Sequence, residues 1–149
     1  MSASFQLRPY RSEDEDAAIE LWRHTWQQAY PSIDFAARVP WWRERWRNEL
    51  VPNAAIIVAE QADTLIGFVT IDLKGYLDQL VVSPACWGSD LGNALVNEAK
   101  RLSPDHITLL VNIDNARAIR FYERNGFVRG GETVNPGSNK PVLKMAWKP

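Results

Sequence analysis

Apolar positions along the chain follow two periods, and the switches between them mark the elements. Phe5–Pro9 alternates apolar and polar residues and is short, the pattern of a first strand ended by proline. Ser12-Glu13-Asp14-Glu15 has the spacing of a capping box, and its acids load the positive end of a helix. Ala18, Leu21, Trp22, Thr25, Trp26 and Ala29 then recur at spacings of three and four, and Tyr30-Pro31-Ser32 ends that helix. A second helix starts near Pro40, since proline is tolerated in a first turn, and carries Trp42, Trp46 and Leu50 along one face.

Beyond Pro52-Asn53 the period becomes that of strands. Ala54–Gln61 and Thr64–Leu73 flank the tight connection Ala62-Asp63, a hairpin signal. Lys74-Gly75 turns the chain into a strand over Tyr76–Val82. The loop Ser83–Asp90 opens a helix through Leu91, Leu95, Glu98 and Leu102, and His106–Asn112 is the next strand. Asn115–Asn125 is a helix closed by Gly126-Phe127, glycine at the left-handed position and an apolar residue to pack back on the last turn. Phe127–Val134 and Val142–Trp147 form a final strand pair around the loop Asn135–Pro141. The predicted order is β, α, α, β, β, β, α, β, α, β, β, in a single domain over residues 1–149 with no internal repeat or linker.

Composition removes several function classes. A chain of 149 residues, 46% apolar, buries enough core to fold without a metal or disulfide. Its one cysteine excludes an internal disulfide and a Cys-rich zinc site. The balance of 17 basic against 18 acidic residues argues against a nucleic-acid footprint or a polybasic membrane anchor. No apolar run approaches the ~20 residues of a membrane helix, and Met1–Arg11 lacks the apolar core of a signal peptide. A soluble cytoplasmic protein, monomer or homodimer, is expected. His24 and His106 have no acid or cysteine at ligand spacing, so no metal is expected, and Cys86 reads as an inert thiol. The composition has one oddity: seven tryptophans, five of them between Trp22 and Trp46.

Two segments carry candidate chemistry. Leu77–Leu95 (LDQLVVSPACWGSDLGNAL) runs from strand through a glycine-bearing loop into a helix N-terminus, where free N–H groups and the dipole favour phosphate. Alone, it reads equally well as a turn. The second segment, Asn112–Phe127, is NIDNARAIRFYERNGF. Together the two resemble the GCN5-related N-acetyltransferase (GNAT) family, with its VxPxxRGxGxGxxL and NxxAxxxYxxxGF motifs. The first reads here Val82-Ser83-Pro84-Ala85-Cys86-Trp87-Gly88-Ser89-Asp90-Leu91-Gly92-Asn93-Ala94-Leu95, and the second Asn115 through Phe127. Leu7-Arg8-Pro9 before an acidic helix start also looks like that family.

The resemblance implies an α/β fold, a mostly antiparallel sheet with one splayed parallel pair, flanked by about four helices. It implies acetyl-CoA as co-substrate, lying between the strands Tyr76–Val82 and His106–Asn112. Backbone N–H groups at Val81 and Val82 would hold the pantetheine and polarise the acetyl carbonyl. Trp87, Gly88, Ser89, Asp90, Leu91, Gly92 and Asn93 would cradle the pyrophosphate. Asn115 would cap the last helix and reach the cofactor arm. Tyr122 would protonate the departing thiolate, with a core aromatic as the alternative. Asp78 is the candidate base, with a solvated or structural carboxylate, and deprotonation through water, as the alternatives; strand alternation lets either Asp78 or Gln79 face the acceptor cleft, not both. A primary amine of a small molecule or peptide would attack directly, so Cys86 need not be a nucleophile.

Two residues depart from the pattern. Trp87 stands where the family usually has Arg or Gln, and Asp90 stands in place of its first essential glycine. A carboxylate ~4 Å from a phosphate charge at an effective dielectric of ~20 is repelled by about 4 kcal/mol. Either that weakens acetyl-CoA binding, or Asp90 serves as an N-cap and is accommodated. If cofactor use were abolished, the fold would be left as a non-catalytic binding module. The tryptophan pairs Trp22/Trp26 and Trp42/Trp46 each share a helix face and read as core. Alternatively, Tyr30, Trp41 and Trp42 line an aromatic acceptor pocket.

Overall fold

A computed structural model describes residues 4–135 and 137–149. Residues 1–3 of the N-terminal stretch and Pro136 of the predicted loop lie outside the described residues. The chain runs β1 (Gln6–Pro9), α1 (Glu15–Ala29), α2 (Val39–Arg45), α3 (Val51–Asn53), β2 (Ala54–Gln61), β3 (Thr64–Asp72) and β4 (Leu77–Val82). It continues through α4 (Leu91–Leu102), β5 (Ile107–Asn112), α5 (Ala116–Arg124), β6 (Val128–Val134) and β7 (Pro141–Trp147). This is the predicted order, except that the second predicted helix is divided into α2 and α3.

The entry into α1 is built differently from the sequence expectation. A 3-10 turn, Ser12–Asp14, precedes the helix, and Asp14 rather than Glu15 reaches back, accepting the Arg11 N–H at 2.9 Å. Ser12 bonds its neighbour Glu13 instead. Asp14 is buried and takes both Arg8 Nη atoms at 2.8 and 2.9 Å, tying β1 to α1. Those Arg8 bonds, chiefly, hold its carboxyl below the usual carboxylate range. The second predicted helix is also interrupted. Between α2 and α3 lies a π-helical segment, Trp46–Leu50, just before Pro52, which can neither donate to an i−4 carbonyl nor avoid crowding it.

Four strands form one antiparallel sheet in the order β1-β2-β3-β4, and three form another in the order β5-β7-β6. In the hairpin β2–β3, both turn residues are left-handed: Ala62 has φ 50° and Asp63 φ 64°. That geometry suits a two-residue hairpin but charges a penalty for every Cβ. Replacing Ala62-Asp63 by Asn-Gly is therefore expected to raise stability by about 1 kcal/mol, read by urea denaturation. An unchanged midpoint would contradict this strain.

The two sheets meet at one parallel bridge, Tyr76 with Thr108. Thr108 N–H donates to the Gly75 carbonyl at 2.9 Å, and the His106 ring nitrogen Nε2 bonds the Lys74 carbonyl at 2.8 Å. Gly75 permits this joint. Its φ is 82°, and a Cβ there would lie 2.7 Å from the His106 carbonyl. Beyond the joint β4 and β5 share no ladder among the described residues, which is the expected splayed pair.

Both faces of the β1–β4 sheet are covered, whereas β6 is exposed along its length. On one, Leu91, Leu95, Val96 and Ala99 of α4 and Ile119 and Tyr122 of α5 pack on Ile57, Ile71, Leu109 and Met145. On the other, Ala18, Ile19, Trp22, Trp42, Trp46 and Leu50 pack on Ile56, Val58, Phe68 and Val81. The Trp22 and Trp42 rings stack at 4.7 Å and 10°, and Trp46 lies edge-on to Phe68. Trp42 is 1% exposed and so belongs to the core rather than to a pocket. Trp41 is 53% exposed. No helix among the described residues is long and apolar enough to cross a membrane.

Candidate active site

The opening between β4 and β5 follows from backbone direction. Gln79 N–H donates to Thr70 Oγ1 at 3.0 Å and Ser83 N–H to the Ile66 carbonyl at 2.8 Å, both toward β3. Direction alternates along a strand, so Val81, opposite Phe68, also faces β3. Leu80 and Val82 present their backbone groups to the opening. Of the expected pair Val81 and Val82, the second is placed to hold a ligand there, and Leu80 takes the place of the first. On β5, Thr108 bonds toward β4 and Ile113 toward β7, so Leu110 and Asn112 face the same opening. Two strand edges with unpaired N–H and C=O groups make a slot for an extended chain of amides.

At the far end of the slot lies the loop into α4. Gly88 and Ser89 are exposed turn residues, and Ser89 Oγ donates to the Cys86 carbonyl at 2.6 Å. Leu91 N–H reaches only Ser89 Oγ, at 3.3 Å. Asp90 occupies the N-cap position, but its side chain makes no capping bond and is exposed. Of the two alternatives for Asp90, capping by its side chain is therefore not the one this structure shows. Gly92 and Asn93 have no acceptor for their N–H groups among the described residues. Gly92 is also where α4 meets α5: a Cβ there would lie 2.9 Å from the Phe121 ring. Asn93 Oδ1 accepts from Asn125 Nδ2 at 3.1 Å, joining the same two helices. The start of a 12-residue helix with free N–H groups fits a phosphate end.

Trp87 turns inward from this loop. Its Nε1 donates to the Val82 carbonyl at 2.8 Å, and the Arg117 guanidinium lies 3.8 Å over its ring. Asn115 caps α5, its Oδ1 accepting from Ala118 N–H at 3.2 Å. Trp87, Asn115, Arg117, Tyr30 and Asp114 line a cavity of about 230 Å³ that reaches the end of α1. Tyr30 hydroxyl donates to Asp114 Oδ1 at 2.7 Å and accepts from Asn112 Nδ2 at 3.1 Å. Burial, then that bond to Asp114, pushes the Tyr30 hydroxyl up to about 12. Lys140 sits 4.1 Å over the Tyr30 ring and 3.6 Å from Asp114. Sequence reasoning missed Arg117, Asp114 and Lys140, because nothing local ties them to Trp87 or Tyr30.

Tyr122 is 8% exposed, its ring edge-on to Phe121 and Phe127. Burial alone pushes its hydroxyl well above the usual tyrosine range, so it keeps its proton. The hydroxyl has no hydrogen-bond partner among the described residues.

Asp78 lies elsewhere. Arg45 grips both its oxygens, at 2.9 Å on Oδ1, and Gln79 Nε2 donates to Oδ1 at 3.1 Å. The alternation expected of Asp78 and Gln79 is broken by a bulge. Between Leu77, opposite Ile71, and Leu80, opposite Val69, two residues of β4 face the single residue Thr70. Their side chains therefore meet. Asp78 lines a second cavity of about 220 Å³ with Arg45, Glu49 and Tyr76, sharing no residue with the first.

Comparison with known proteins agrees with this geometry. The model of the Acetyltransferase (GNAT) family matches residues 15–127. The peptidyl-lysine N-acetyltransferase YjaB of Salmonella typhimurium is 28% identical over 144 residues, covering 95% of this chain and 97% of that protein. A spermidine N(1)-acetyltransferase of Thermoplasma acidophilum is 26% identical over 142 residues, 83% of this chain and 88% of that protein. The crystal structure of PaiA N-acetyltransferase from Thermoplasma acidophilum in complex with coenzyme A superposes with a TM-score of 0.79. It is 24% identical and covers 98% of this chain and 99% of its own, which is a likeness of fold. With its slot, its capped α5 and this match, the chain belongs to the GNAT family of acetyltransferases, and its chemistry is acetyl transfer.

Proposed function

We propose that the chain moves the acetyl group of acetyl-CoA to a primary amine of a small molecule or peptide by direct attack. The observation that carries this is the slot itself: the free backbone groups of Leu80 and Leu110 and the Val82 N–H, whose carbonyl is held by Trp87 Nε1, ending at the free N–H groups of α4. Bound acetyl-CoA supplies the activated thioester. Gly88, Gly92 and Asn93 would hold its pyrophosphate, Leu80 and Val82 its pantetheine arm, and Asn115 would flank that arm from the cavity wall. Peptidyl-lysine and spermidine, named for two relatives, both offer primary amines. Tyr122, held neutral by burial, is placed in this reading as the proton donor to the departing sulfur.

For the proton of the attacking amine, the geometry favours water over Asp78, whose oxygens are taken by Arg45 and Gln79. Asp78→Asn is expected to leave the acidic limb of the pH–rate profile in place and to change kcat less than about tenfold. Disappearance of that limb would assign the base to Asp78. The function is tested by thiol release from acetyl-CoA across a panel of lysine peptides, polyamines and amino sugars. Release with at least one amine is expected. No release with any, together with no acetyl-CoA binding, would leave a non-catalytic binding module.

A further inference from the structure

Arg117 is one of four arginines, with Arg38, Arg120 and Arg124, that hold no carboxylate among the described residues, and it lines the cavity beside Trp87. Arg43, Arg45 and Arg47 each hold carboxylates, as does Arg8. Arg117 pairs with no carboxylate among the described residues. The acid in its own cavity, Asp114, is bonded to Tyr30 and paired with Lys140 instead. Arg117 is also badly placed for its helix. It is the second residue of α5, after the N-cap Asn115, so its charge meets the positive end of the helix dipole, and no acid in that first turn offsets it. What holds it there is the Trp87 ring at 3.8 Å, and Trp87 is itself anchored to the Val82 carbonyl. The guanidinium thus crosses from α5 to the loop that opens α4, where Gly92 and Asn93 offer free N–H groups and Asp90 adds an uncapped negative charge. An unpartnered cation, stacked on the loop that leads into those free amide donors, is organised for an anion.

We propose that Arg117, positioned by Trp87, binds the pyrophosphate of the cofactor and offsets Asp90. This rests on the acetyl-CoA reading above. It makes Trp87 a positioning residue: the loop lacks a basic side chain of its own, and the indole face recruits one from α5. The division of labour is directional. Amide donors of the slot read the pantetheine, and Arg117 reads charge, so its removal affects only ligands that carry the diphosphate.

Calorimetric titration of the full chain with CoA, 3′-dephospho-CoA and pantetheine separates these contributions. Arg117→Ala is expected to weaken CoA and 3′-dephospho-CoA binding by about tenfold to a hundredfold while leaving pantetheine unchanged. Trp87→Leu should lower the CoA-to-pantetheine affinity ratio by a similar factor, and the double variant should lose no more than either single one. Arg117→Lys should recover part of the loss. An unchanged ratio in Arg117→Ala overturns the proposal. A loss seen with CoA but not with 3′-dephospho-CoA also overturns it, moving the contact to the 3′-phosphate. If the wild-type chain binds none of the three, the cofactor reading itself fails, and that failure is visible before any variant is made. The side chain of Arg117 is exposed, and unchanged pantetheine binding certifies each variant as folded.

Discussion

Tyr122→Phe is expected to lower turnover by about a hundredfold or more while leaving acetyl-CoA affinity and thermal stability close to wild type. The three parts of that expectation have separate causes. Turnover falls because the departing thiolate loses its nearest donor in the proposed mechanism. Affinity holds because, in that same proposal, the slot would bind through backbone groups of Leu80, Val82 and Leu110 and through the start of α4. Stability holds because the hydroxyl bonds nothing among the described residues, and the ring, edge-on to Phe121 and Phe127, is kept by phenylalanine. A tyrosine that served only as a packed ring would show no loss of turnover on this change. Because burial raises its pKa, the hydroxyl stays protonated across the assay range and adds no limb of its own below about pH 10. Steady-state kinetics with a saturating amine reads the effect. Turnover equal to wild type would return Tyr122 to the core and leave the leaving group to water.

Much of this architecture is legible in the sequence because it depends on near neighbours. The switch from period 3.6 to period 2 at Asn53 and the cap-and-glycine frame of Asn115–Gly126 are local, and α5 closes as that frame implies, with Gly126 at φ 88°. What the sequence hides is of two kinds. One is a change of count. The bulge at Asp78 and Gln79 puts two residues opposite Thr70, so alternation, which assumes one against one, does not decide which face each takes. The other is long-range side-chain choice. Asp78 reads as a candidate base until Arg45 is seen to hold it, and whether Asp90 caps α4 stays open until its side chain is seen to make no capping bond. Trp87 reads as a lost arginine until Arg117 is found on its ring. Each of these depends on a partner from another element, which propensity and spacing do not encode.

The tryptophan excess divides in the same way, and Trp42→Ala is where its meaning is measured. Helical spacing places Trp42 and Trp46 on one face, but only packing shows what that face meets. Trp42 lies flat on Trp22 at 4.7 Å, 6.0 Å from Trp46, with the Arg45 guanidinium 5.5 Å over its ring. At 1% exposure, truncation to alanine removes that stack and leaves a cavity between α1 and α2, and the expected loss is about 3–5 kcal/mol. Against a typical total of about 5–15 kcal/mol this brings the chain near its unfolding threshold. Trp42→Phe should cost much less, about 1–2 kcal/mol. It keeps a ring against Trp22, and it deletes an indole N–H that is buried without an acceptor among the described residues. Urea denaturation of both variants, alongside amine kinetics, separates packing from recognition. If Trp42→Ala stayed within about 1 kcal/mol of wild type while losing amine affinity, the ring would belong to the acceptor pocket. The expected order, a large loss for alanine and a small one for phenylalanine with KM for the amine unmoved in the latter, assigns Trp22, Trp42 and Trp46 to the layer that carries Tyr30 and Trp41. Specificity then has to come from that layer's exposed rim rather than from its tryptophan core.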